Sequence, residues 1–244
     1  MSTPITVKTQ IQALINNANA KTGNNDTDLT TAVNSLIDGY GGGSHEEDYI
    51  TYASIIQFNN LNYFGKSEIF IHLKYVKRIG SMFQQNTEKN NTVEHITLKT
   101  EQKLEYANAI FYALSAYVDE YLKHITLHID TSEVLNMSTI FAGLRALEVI
   151  DGDPLDFSSA TNVNNVFGDC VSLKEVRFKI NSIKISFQIH YPNNLSDASI
   201  QSLIDGLADL TGATSQTLTL HKDVKAKLTE EQISTITNKN WTLA

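Results

Sequence analysis

Apolar positions change period along the chain, and each change predicts a new kind of element. Over residues 5–20, Ile5, Ile11, Leu14, Ile15 and Ala18 recur at helical spacing. Thr22-Gly-Asn-Asn-Asp26 stops that helix, with Gly23 suited to a left-handed cap. Asp26 or Thr27 then caps a second helix with Leu29, Ala32, Val33, Leu36 and Ile37 on one face. Gly39, Gly41, Gly42 and Gly43 follow, ahead of the acidic run Ser44-His-Glu-Glu-Asp48, and read as a hinge. Two helices this short cannot bury a core alone. Ile5, Ile11, Leu14, Ile15, Leu29, Val33, Leu36 and Ile37 are therefore expected to anchor the chain to copies of itself or to another protein.

Beyond the hinge the period shortens to that of strands. Ile50, Tyr52, Ile55, Ile56 and Phe58, then Ile69, Phe70, Ile71 and Leu73, form runs rich in branched and aromatic residues. A phrase then repeats: Leu73-Lys-Tyr-Val76, Val93-Glu-His-Ile-Thr-Leu98, Leu122-Lys-His-Ile-Thr-Leu127, Leu147-Glu-Val-Ile150 and Leu173-Lys-Glu-Val-Arg-Phe178. Its starts are 20, 29, 25 and 26 residues apart. A second phrase recurs between them as Met82-Phe83, Ile110-Phe111, Ile140-Phe141 and Val166-Phe167. One short strand per unit of this length predicts stacked coils, with the first, fourth and sixth strand positions inward. The third positions (Tyr75, His95, His124, Val149, Glu175) and the fifth (Lys77, Thr97, Thr126, Asp151, Arg177) then face outward as ladders.

Residues 184–244 read as strand, helix, strand, helix, strand. Lys184–His190 alternates; Ser196 caps a helix with Ile200, Leu203, Ile204, Leu207 and Leu210 on one face; Thr217–Leu220 is a strand. Thr229-Glu-Glu-Gln232 is a capping box before a short helix, and Asn240–Ala244 a final strand. This order predicts a parallel extension of the same sheet that closes the open end.

Composition narrows the function classes. Only 19% of the 244 residues are charged and the net charge is -8, which disfavours a phosphate backbone as partner. The polarity is largely uncharged, with 22 Asn, and suits turns and side-chain ladders. A single cysteine excludes an intrachain disulfide. The first residues lack a secretory signal, and no window approaches the ~18 apolar residues of a membrane span. No nucleic-acid partner and no membrane insertion are expected. Production in a cytoplasm is expected; a virion component released by lysis needs no signal.

Phe167-Gly-Asp-Cys170-Val-Ser-Leu173-Lys-Glu-Val176-Arg-Phe178 resembles the BspA-type leucine-rich repeat, and Phe141-Ala-Gly-Leu144-Arg-Ala-Leu147-Glu-Val-Ile150 fits with Leu in the Cys position. The ending from Leu195 to Leu243 is similar to a C-terminal module of such proteins in bacteria and their phages. Ala20-Lys-Thr-Gly23, Asp28–Val33 and Asp38-Gly-Tyr-Gly41 resemble the helical leader of phage tail and fibre-like proteins. The resemblance implies an α/β leucine-rich-repeat solenoid, its parallel sheet backed by helices or loops. Its segments would be an anchor over 1–40, a hinge over 41–48, repeats over 49–195 and a cap over 196–244. It also implies a phage virion protein attaching to a host surface from a tail tip, baseplate or fibre. Expected partners are other virion proteins, through the N-terminal helices, and a host polysaccharide or protein; a homo-oligomer is expected. The alternatives are a bacterial interaction or adhesion module outside any virion, and a capsid-attached fibre or decoration protein.

No chemistry-bearing motif displaces this reading. His124 and His128 are four apart on a strand, about 13 Å, too far to share a metal. His95 and His124 stand closer, on neighbouring strands, but no third ligand follows them, so neither metal nor cofactor is expected. Cys170 holds a repeat position of a small buried group rather than a nucleophile. Asp151, Asp153 and Asp156 resemble half a calcium loop whose twelfth position is Asn162, not Glu. Tyr106, Phe111, Tyr112, Tyr117 and Tyr121 read as packing before they read as a carbohydrate platform. No acid/base pair, nucleophile elbow or phosphate loop is present, so no enzymatic activity is expected.

Overall fold

The computed structural model describes residues 16, 49–52, 67–73, 76–80, 93–112 and 121–244. The predicted anchor residues Ile5, Ile11, Leu14, Ile15, Leu29, Val33, Leu36 and Ile37, the hinge glycines 39 and 41–43, and Tyr75 lie outside them. The chain divides into two units, Met1–Ile50 and Thr51–Ala244. The described residues form a mixed α/β structure of small parallel sheets and few helices.

The strands are β1 (Tyr49–Tyr52), β2 (Glu68–Leu73), β3 (Arg78–Gly80), β4 (His95–Thr100), β5 (Tyr106–Asn108), β6 (His124–His128), β7 (Val149–Gly152), β8 (Phe187–Ile189), β9 (Gln216–Leu220) and β10 (Trp241–Leu243). The helices are α1 (Asp197–Gly206), α2 (Lys222–Lys225) and α3 (Glu230–Asn238). A five-stranded sheet runs β1-β2-β4-β6-β7, and β3 pairs with β5 in a second ladder. The pairings of β2 with β4, β4 with β6, β6 with β7, β3 with β5, β8 with β9 and β9 with β10 are all parallel.

Register follows the two-residue period. Ile69, Ile96, Ile125 and Ile150 stand in one buried row, and Ile71, Leu98 and Leu127 in the next. A slip of one residue would turn each row to solvent, so burial of these branched side chains sets the pairing. Glu68, His95, His124 and Val149 share one outward row, which a bridge from Val149 extends to Glu175. The steps are 27, 29, 25 and 26 residues.

This corrects the predicted start of the repeat. The strand beside His95 is Glu68–Leu73, not Leu73–Val76, because Ile69-Phe-Ile71 is the triple that matches Ile96-Thr-Leu98 and Ile125-Thr-Leu127. Lys77 leaves this face. Its carbonyl accepts from Glu105 and Tyr106 at the head of the β3–β5 ladder, and its ammonium meets Glu105 at 3.2 Å.

On another side, Phe111, Phe141 and Phe167 are buried and stack nearly parallel, with centroids 5.7 and 5.6 Å apart. Two residues before each ring, Ala109, Thr139 and Asn165 adopt φ of 51°, 55° and 53°. The chain therefore turns through the left-handed region at one equivalent place per step, and backbone bonds such as Phe111 N–H to Ile140 O and Phe141 N–H to Val166 O tie the turns together. Asx turns recur likewise: Asp130 and Asp156 accept from the N–H two residues on, as do Asn136 and Asn162.

The large sheet ends where α1 meets it. Ser196 caps α1, accepting from Ser199 N–H. Ser199 and Ser202 then accept from the backbone N–H groups of Val176 and Phe178, each at 2.9 Å. Helix hydroxyls thus satisfy the donors that another strand would have taken, which closes the edge. For this reason β8, β9 and β10 do not extend the large sheet, as the element order predicted, but form a separate parallel sheet in the order β10-β9-β8. Ile200, Leu203, Ile204 and Leu207 are buried; Leu210 lies beyond the helix end and is half-buried. The predicted capping box at Thr229 and Gln232 is present. Lys239 donates to the carbonyls of Ile204 and Leu207 at 2.9 and 2.7 Å, capping the C-terminal end of α1.

Candidate functional site

Burial of the isoleucine and leucine rows leaves the alternate residues of β2, β4, β6 and β7 on the opposite face. The rows are Glu68, His95, His124, Val149 and Glu175; Phe70, Thr97, Thr126 and Asp151; and His72, Lys99 and His128. Of the predicted surface residues, His95, Thr97, His124, Thr126, Asp151 and Glu175 are thus brought together. Arg177 borders them, donating to the carbonyl of Gly152. Glu68, Phe70, His72, Lys99 and His128 belong to the face but were not among the predicted residues. Their signal was the buried-outward alternation of Glu68–Leu73, the same as that of His95–Thr100.

At the centre His95 and His124 stack, centroids 4.1 Å apart and planes 12° from parallel. Parallel strands bring equivalent side chains about 4.8 Å apart, so like residues in register stack without backbone distortion. His95 Nε2 lies 2.9 Å from Thr126 Oγ1, and that hydroxyl donates to Asp151 Oδ1 at 2.6 Å. The hydroxyl has one proton, so His95 Nε2–H must be the donor to it. His124 Nε2 lies 2.9 Å from Asp151 Oδ2. Asp151 thereby receives both arms of the cluster.

Gly152 makes this placement possible. Its φ is +86°, and a Cβ there would lie 2.1 Å from the Leu127 carbonyl oxygen. Only glycine allows the chain to turn off β7 so close to β6.

The electrostatics follow from this geometry. Burial lowers the pKa of His95, and neighbouring His124 lowers it further, against the carboxylates of Glu68 and Asp151. Burial alone would raise that of Asp151, but the hydrogen bonds from Thr126 and His124 hold it below the usual carboxylate value.

The cluster resembles a catalytic triad in composition but not in geometry. A relay needs an imidazole with one nitrogen on the carboxylate and the other on the hydroxyl. Here the same atom, His124 Nε2, faces both Asp151 and, at 3.4 Å, Thr126, while the hydroxyl bonds Asp151 directly. Nor do the stacked rings aim at one metal: their lone pairs lie in separate, nearly parallel planes. Among the described residues no group of three His, Cys, Asp or Glu is placed to hold a metal ion.

The remaining candidates are structural. Cys170 is fully buried, its thiol pointing at the Phe141 carbonyl 3.0 Å away, and burial pushes its pKa up to about 12. The three aspartates separate: Asp151 is in the cluster, Asp153 stands 3.9 Å from His128, and buried Asp156 is bonded to Lys179 and Ser158. The aromatic group separates too. Tyr106 lies under Arg78, Phe111 is core, Tyr112 and Tyr121 are exposed, and Tyr117 is outside the described residues.

A row of alternating charge runs beside the outward face. Glu94, Lys123, Glu148 and Lys174 precede successive outward positions; Lys123 meets Glu94 at 3.7 Å, and Lys174 meets Glu148 at 2.7 Å. No helix among the described residues is long and apolar enough to cross a membrane. Comparison with known proteins finds no matching family model, no matching curated protein and no matching solved structure.

Proposed function

We propose that the chain is a bacteriophage virion structural protein that displays a leucine-rich-repeat solenoid for attachment to a host surface. The observation that carries this reading is the outward face of β2, β4, β6 and β7. Equivalent side chains stand in register every 25–29 residues, on a sheet whose opposite rows are buried. Such a face presents side chains in ordered rows, and suits recognition of an extended surface polymer or protein. The resemblance of residues 20–41 to phage leaders supports the virion setting, with residues 1–40 as anchor to other virion proteins or to further copies of the chain.

The test is competition for adsorption. Purified full-length chain should slow adsorption of the phage to its bacterial host. The double reversal Lys99→Glu with Arg177→Glu, which alters the face at two exposed positions, should compete less well. Adsorption unaffected by excess wild-type chain would overturn the attachment role.

A further inference from the structure

The outward face concentrates histidine. His72, His95, His124 and His128 are four of the chain's seven, and all lie on three adjoining strands. Two of them are stacked, and their hydrogen bonds leave little freedom over where a further proton goes. Thr126 gives its only hydroxyl proton to Asp151, so His95 must present Nε2–H to Thr126. His124 Nε2 faces the other Asp151 oxygen, and an unprotonated nitrogen there would set a lone pair against a carboxylate. Both rings therefore carry hydrogen on Nε2, and any added proton enters at Nδ1.

We infer that His95 and His124 form a proton-limited pair: with one bonded carboxylate between them, Asp151, the stacked contact does not hold two charged rings, and protonation of His95 beside a charged neighbour forces the rings apart. The surrounding charges account for the limit. From β7 only Asp151 is bonded into the cluster, and it neutralises one imidazolium. From β2 Glu68 lies in register with His95 and favours its charge, while Lys99 on β4 and the imidazoles of His72 and His128 on the flanking strands stand further along the face. Glu175 is separated from the rings by Val149. Two imidazolium rings in face-to-face contact would thus share one bonded carboxylate, partly out of water. The consequence is an outward face that changes state with acidity: the rings are stacked first, then parted.

The inference concerns the protein alone and stands apart from the proposed attachment role, as does its test. Imidazole resonances of the full-length chain are followed by proton–carbon NMR through an acid titration. Two separate steps are expected. The later one belongs to His95 and coincides with loss of the mutual ring-current shifts that stacking produces. In His124→Gln the His95 step should move up toward that of a free imidazole. In His124→Phe, which keeps a ring but no charge, it should move up less, because burial persists. Two rings titrating together as independent imidazoles would overturn the inference, as would a His95 step unmoved by His124→Gln. The wild-type titration decides the matter even if a variant fails to fold.

Discussion

Thr139 holds a β-branched side chain at φ 55°, a conformation disfavoured for every residue but glycine and least costly for Asn and Asp. Asn165 occupies the equivalent place one step later. Thr139→Asn should therefore stabilise the fold by about 1 kcal/mol, read as a raised urea midpoint with unchanged slope. An unchanged or lower midpoint would show that the Thr139 hydroxyl bond to the Ser138 carbonyl outweighs the strain. Cys170 offers a second residue-scale test. Its thiol is buried with its pKa pushed up to about 12, so a thiol reagent should not label the native protein at neutral pH and should label it fully in denaturant. The repeat phrase alone had assigned Cys170 to the core. The left-handed turns were not legible, because Ala109 and Thr139 carry no sign of positive φ; only the equivalent Asn165 does.

Among the elements, the edge closed by α1 is the most exposed to a single change. Ser199→Ala would leave the buried Val176 N–H without its acceptor and should cost about 1–3 kcal/mol. Hydrogen exchange at Val176 should accelerate; exchange no faster than in wild type would contradict the edge-closing role. The phenylalanine stack gives a larger effect: Phe141→Ala removes the ring that touches two others and should cost about 3–5 kcal/mol, seen in the denaturant midpoint. The sequence displayed the stack directly, as an apolar-Phe phrase between strand phrases. It misplaced the first strand of the outward face, because Leu73-Lys-Tyr-Val76 shares letters with the later phrases while Glu68–Leu73 shares their alternation. Pairing obeys alternation, since burial acts on every second residue. The closure by α1 was hidden for a different reason: Ser199 and Ser202 act on a sheet edge more than twenty residues away, beyond the reach of local pattern.

At the scale of the molecule, the same groups set the response to acid. The folded His95 has a lowered pKa, so between that value and the ordinary imidazole value the unfolded chain binds more protons. Its contribution to stability is full above the ordinary value and declines as pH falls below it. Asp151 and buried Asp156 also have lowered values, and their contributions decline further down, as pH passes through the carboxylate range. Stability should therefore fall in two stages from neutral pH, and His95→Gln, which keeps a donor for Thr126, should remove much of the first. The alternation behind the outward face and its buried rows was legible, as was the order of strands and helices at the C-terminal end; the stacked pair was legible only as two equivalent histidines. The central claim is that the chain belongs to a virion, and mass spectrometry of purified phage particles tests it most directly. The account predicts peptides from across the chain at a level comparable with known structural proteins of the particle. Particles free of the chain, when the lysate contains it, would contradict the account.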